Sequence, residues 1–97
     1  MNARDKVLAA RRRMAAFVMR QTATTLEDEA LVVNEQIVLS GDRLECERVR
    51  AYMSRELEVE GVVVDPLDPE LGEWTCVRIP LAGLELALGR IARHARV

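Results

Sequence analysis

The sequence predicts one α+β domain spanning residues 1–97: an N-terminal helix, two further helices joined by a short turn, a two-stranded β-hairpin and a C-terminal helix. Three observations carry this. Ninety-seven residues fill one hydrophobic core and not two. Apolar residues three and four apart dominate both ends and the stretch after residue 42, whereas residues 58–79 hold β-branched runs separated by Pro, Asp and Gly. A composition of 49 % apolar and 31 % charged residues, with a formal net charge of −2, belongs to a folded globular chain rather than a disordered one.

Ala3 to Gln21 places Val7, Ala10, Met14, Phe17 and Val18 at helical spacing with no Gly or Pro. Lys6, Arg13 and Arg20 fall seven apart and line a separate stripe. Thr22-Ala23-Thr24-Thr25 is a polar break, and Thr24 with Glu27, or Thr25 with Asp28, has capping-box spacing. The following stretch, Leu26 to Leu39, is read as a second helix on the spacing of Leu26, Ala30, Val33 and Ile37, although Val32, Val33, Ile37 and Val38 favour strand. Ser40-Gly41-Asp42 is a turn, and Asp42 with Glu45 caps a third helix running to about Leu57, with Cys46, Val49, Met53 and Leu57 inward. Arg43, Glu47, Arg50 and Ser54 would face outward, with Arg48 and Arg55 to one side.

The period then changes. Glu58 to Val64 and Glu73 to Ile79 read as strands around the turn-rich Asp65 to Gly72. Along the second strand Trp74 and Cys76 share a face, read as a buried one with Trp74 as a core anchor. Pro80 is expected to open the last helix, with Leu81, Leu84, Leu88 and Ile91 on one stripe and Arg90, Arg93, His94 and Arg96 near its end. That stripe, with Leu86 beside it and Leu8, Ala15 and Met19 on the first helix, exceeds what one small core needs. A homodimer built on Leu81, Leu84, Leu88 and Ile91 is therefore expected.

Charge is segregated along the chain: residues 1–20 carry a net +5, residues 21–80 a net −9 and residues 81–97 a net +2. Basic ends suit nucleic acid, and an acidic middle suits a basic partner. Thirteen of the fourteen basic residues are Arg, which suggests a GC-rich bacterial, phage or plasmid origin. No uninterrupted apolar stretch approaches the roughly 18 residues of a membrane span. Cys46 and Cys76, without a signal-peptide pattern, point to reduced thiols in the cytoplasm.

Enzyme chemistry finds no support. His94 has no adjacent acid or cysteine with which to form a nucleophilic pair. Cys46, Cys76 and His94 are too far apart in sequence for a zinc site, and the five glycines are too dispersed for a phosphate loop. No catalytic residue, metal, cofactor or small-molecule substrate is assigned.

The element order, and above all the run from the Ser40 turn through an Arg-bearing helix into Leu57-Glu58-Val59-Glu60-Gly61-Val62, resembles the winged helix-turn-helix superfamily over about residues 25–80. The resemblance implies a small DNA-binding transcriptional regulator whose Arg43–Ser54 helix enters the major groove of duplex DNA, with Arg43 and Arg50 at base edges or phosphates. Arg48, Ser54 and Arg55 would join that contact, and Arg13 and Arg20 would touch phosphates. The hairpin tip, with Asp65, Asp68, Glu70 and Glu73, departs from a phosphate-facing wing. The alternative is a non-catalytic protein-interaction module, such as a phage-encoded inhibitor that binds a host protein through its acidic middle.

Overall fold

In a computed structural model of the chain, which describes residues 2–30, 35–72 and 74–95 and all their side chains except those of Pro69, His94 and Ala95, three helices pack on one face of an antiparallel sheet. Helix α1 spans Ala3–Thr22. Its N-terminus is closed by Asn2, whose Oδ1 accepts from Asp5 N at 2.9 Å, and its C-terminus by Ala23 in the left-handed region. Arg11, Ala15, Val18 and Thr22 form its buried face. Val18, Met14 and Phe17 of the expected face reach the core, whereas Val7 is exposed and Ala15 is buried in addition.

The expected second helix over Leu26–Leu39 is not formed. Glu27–Asp28 is strand β1 and Gln36–Gly41 is strand β2, while residues 31–34 lie outside the described ones. Ala30 and Glu35 both take left-handed backbone, φ 56° and 51°, which no continuous helix accommodates. Neither capping box forms a helix start; Thr24 Oγ1 instead accepts from Leu26 N at 3.2 Å, a local turn. The β-branched pair Ile37-Val38 therefore decides the segment, and a hairpin separates α1 from the next helix where a helix-turn-helix was expected.

Helix α2, Arg43–Leu57, follows as expected, with Asp42 Oδ2 accepting from Glu45 N at 3.2 Å and Cys46, Val49 and Met53 buried. Its C-terminus is closed without a glycine. Glu58 itself turns left-handed (φ 56°), and Gly61 serves close approach: a Cβ there would stand 3.2 Å from the Arg78 carbonyl oxygen. Strand β3, Val62–Val64, a short 3-10 turn at Pro69–Leu71 and strand β4, Thr75–Pro80, complete the predicted hairpin. Pro80 ends β4 rather than opening a helix, and α3 spans Leu81–Ala95.

The sheet order is β1-β2-β4-β3. The hairpin is thus not a free two-stranded wing, because β4 lies between β3 and β2, with Ile37 opposite Ile79 and Leu39 opposite Val77. Period-2 alternation sorts the side chains. Ile37, Leu39, Val77 and Ile79 point at the helices and join Ala15, Val18, Cys46, Val49, Met53, Leu84 and Ala87 in the core.

Two expectations about apolar residues are corrected here. Leu84 is fully buried, so this residue of the expected stripe belongs to the chain's own core, against which the half-buried Leu81 and Leu88 also pack; Ile91 is exposed. Cys46 is buried with Sγ 3.6 Å from the Thr75 carbonyl oxygen, but Cys76 is half-exposed. Burial pushes the Cys46 thiol up to about 11, leaving on the order of one thiol in a thousand ionised at pH 8. One thiol per chain is therefore expected to react with a thiol reagent in the folded protein, and the second only after denaturant is added. Equal rates for both would contradict the face assignment.

Candidate functional site

The face of the sheet turned away from the helices carries Val38, Arg78 and Val62 in one cross-strand row and Ser40, Cys76 and Val64 in the next. No described helix lies on it, although Val38 and Ser40 of β2 are buried. Trp74, directly before β4, continues the row parity of Cys76 and Arg78 and stands 68 % exposed. The expected core anchor is thus in solvent, because Thr75, Val77 and Ile79 take the inward positions. The signal was in the sequence: Trp74 shares its parity with Arg78, while β-branched residues hold the other parity. Val62 is 57 % exposed, and Leu67 and Leu71 of the connecting segment are fully or largely exposed.

Trp74 stands among three adjoining depressions. The largest, about 530 Å³, runs between Glu29 and Leu67 across Val38, Val64, Cys76 and Arg78. A second lies over Gly41, Asp42, Arg43 and Asp65, and a third over Thr25, Glu27 and Ser40. Asp65 is held in place: its Oδ1 accepts from Arg43 Nε at 3.0 Å and from Thr75 Oγ1 at 3.0 Å. Glu29 accepts from the Ser40 hydroxyl, and its own backbone N–H donates to the Val38 carbonyl at 3.0 Å. Glu29 and Asp65, just past the ends of β1 and β3, are therefore held by hydrogen bonds, and Glu27, Ser40 and Asp42 sit on strands and the helix cap, which suits a preformed contact surface.

Of the residues expected to read DNA, Arg43 borders the second depression and the others lie elsewhere; most are paired. Arg43 bonds Asp65, Arg50 Nε bonds Glu47 at 3.0 Å and Arg55 Nε bonds Glu56 at 2.9 Å. Ser54 Oγ donates to Glu60 at 2.8 Å. Arg48 grips Glu45 and also donates to the Thr22 carbonyl oxygen, tying α2 to the end of α1. Exposed pairs of this kind contribute only about 0–1 kcal/mol, so they do not lock the guanidinium groups, but they do neutralise the field of the helix. Arg13 and Arg20, by contrast, are exposed on α1 beside Lys6 and form no ion pair among the described residues.

Arg48 and a hydroxyl bond from Thr24 hold the Glu45 carboxyl at about 2, against its ordinary 4.5. A depressed carboxylate stabilises the fold fully above about 4.5 and loses that contribution as pH falls through about 2. Denaturant midpoints are expected to drop between these pH values in the wild type and to drop less in Glu45→Gln. An identical acid profile in the two proteins would contradict the pairing.

Sequence reasoning missed Arg11 altogether. Its side chain is 1 % exposed, with Nη1 3.0 Å from Asp28 Oδ1 and Nη2 3.4 Å from Oδ2, joining α1 to β1. Among the described residues, no three His, Cys, Asp or Glu side chains gather closely enough to hold a metal ion, and no helix is long and apolar enough to cross a membrane. Comparison with protein-family models, with curated proteins and with solved structures finds no match to this chain.

Proposed function

We propose that this chain is a non-catalytic protein-interaction module that docks its partner on the outer face of the sheet, around Trp74. One observation carries the reading: the chain has three aromatic residues, and the largest of them stands in solvent beside a sheet face that no described helix covers. Burying such a ring contributes on the order of 2–3 kcal/mol, and folding leaves this contribution unused while the exposed Leu67, lining the same depression, adds apolar surface beside it. Contiguous exposed apolar surface rimmed by polar groups marks interaction sites, and tryptophan is enriched among the residues that dominate binding energy. Affinity capture with the tagged chain, compared across variants, tests it. A partner lost by Trp74→Ser and by Leu67→Ser but kept by Arg50→Ala supports the docking face; a partner indifferent to both serine variants rejects it.

A second reading, duplex-DNA binding by a winged-helix-like regulator, is favoured by the exposed Lys6, Arg13 and Arg20 on α1, which form no ion pair among the described residues. It predicts an affinity for duplex DNA that falls steeply between two salt concentrations. Arg13→Ala would lower the salt slope by about one if Arg13 contacts a phosphate, and Arg43→Ala or Arg50→Ala would cost roughly 1–3 kcal/mol if α2 reads bases. Absence of salt-dependent binding would leave the protein-docking reading alone.

A further inference from the structure

We infer that the face around Trp74 selects a cationic partner segment, one that presents an arginine or lysine side chain next to an aliphatic one; this rests on the docking reading above. The three depressions bordering Trp74 contain four carboxylates, Glu27, Glu29, Asp42 and Asp65, against two guanidinium groups, Arg43 and Arg78. Arg43 is already bonded to Asp65. Glu27, Glu29 and Asp42 form no ion pair among the described residues, so the unspent charge around the ring is negative.

The ring itself adds to this preference. A guanidinium or ammonium group over an indole face is attracted by the ring quadrupole, and tryptophan is the strongest of the aromatic partners. A cation placed on Trp74 would therefore meet the ring below it and carboxylates in the depressions on either side. The largest of these depressions also includes Val64, Leu67 and the buried Val38, and the exposed Leu67 with the half-buried Val64 suits an aliphatic neighbour rather than a second charge. An anionic segment would meet repulsion from three carboxylates and, among the described residues, find only Arg78 as a base without an ion-pair partner at the site. Electrostatic complementarity of this kind sets specificity and excludes wrong partners.

Trp74 is the chain's one tryptophan, so its emission reports on the site directly. The test titrates the full chain with three end-blocked hexapeptides, alternating leucine–arginine, leucine–glutamine and leucine–glutamate. The leucine–arginine peptide is expected to give a saturable change in Trp74 emission, with affinity at least roughly tenfold above leucine–glutamine and no response to leucine–glutamate.

The triple variant Glu27→Gln, Glu29→Gln, Asp42→Asn keeps hydrogen-bond acceptors at all three positions, including the α2 cap. It should weaken the leucine–arginine peptide by roughly tenfold and leave leucine–glutamine unchanged. Asp68→Asn with Glu70→Gln, at the hairpin tip, should change neither. Equal binding of the arginine and glutamine peptides, or an unaffected triple variant, would overturn the cationic preference while leaving the docking face intact. Failure of all three peptides up to millimolar concentration would overturn both. An emission change on concentrating the chain alone would show that a second copy occupies the face, and would overturn the inference.

Discussion

Leu84→Glu is expected to abolish cooperative folding. Leu84 is fully buried among the core residues beneath the sheet, so a carboxyl there either ionises in an apolar site or remains protonated and unsatisfied. Together with the lost apolar burial, the cost approaches the whole stability of a small domain, about 5–15 kcal/mol. Leu86→Glu, two residues on and 69 % exposed, should shift stability by no more than about 0.5 kcal/mol. Thermal melts followed by circular dichroism separate the two. A folded, soluble Leu84→Glu monomer would instead restore the α3 stripe as a subunit interface.

Asp28→Ala should be the most damaging single substitution of a charged residue. It strips the counter-ion from Arg11, whose guanidinium is 1 % exposed and whose Nε already has no partner among the described residues. Breaking one side of a buried ion pair costs about 3–5 kcal/mol. Asp28 also accepts from Ala30 N at 2.9 Å, and the same substitution removes that turn hydrogen bond. Arg11→Met keeps much of the apolar stem and leaves a carboxylate that is 21 % exposed and can reach water, so its loss should be clearly smaller. Urea midpoints for the two variants give the order directly. An Arg11→Met loss equal to or greater than that of Asp28→Ala would show that packing of the arginine stem, not the orphaned charge, dominates.

Helix α2 was the most legible part of the fold. The Asp42 cap and the Cys46, Val49, Met53 spacing are both local, and both are found as read. The β3–β4 hairpin was legible for the same reason, through β-branched runs around a Pro- and Asp-rich turn. Leu26–Leu39 was not, because helical spacing and β-branching compete there. What settles it is a long-range pairing, Ile37 against Ile79 and Leu39 against Val77, which no local window contains. Arg11 was invisible because periodicity searches for apolar faces, and its partner lies on another element. The proposed docking face was half legible. Trp74 and Cys76 do share a side of the strand, but ring size argued for the core, whereas the Thr75, Val77, Ile79 parity had already claimed it. The arginines of α2 were read from their spacing on one helix, and their carboxylate partners on that helix and beyond it became apparent only in three dimensions.

The docking face rests on Trp74 being open to solvent in the isolated chain. Quenching of its emission by acrylamide, a neutral probe indifferent to the surrounding carboxylates, measures this most directly. At micromolar protein, red-shifted emission and quenching close to that of free tryptophan, unchanged on dilution, are expected. Blue-shifted, protected emission that becomes accessible only on unfolding would place Trp74 inside the core and contradict the docking face altogether.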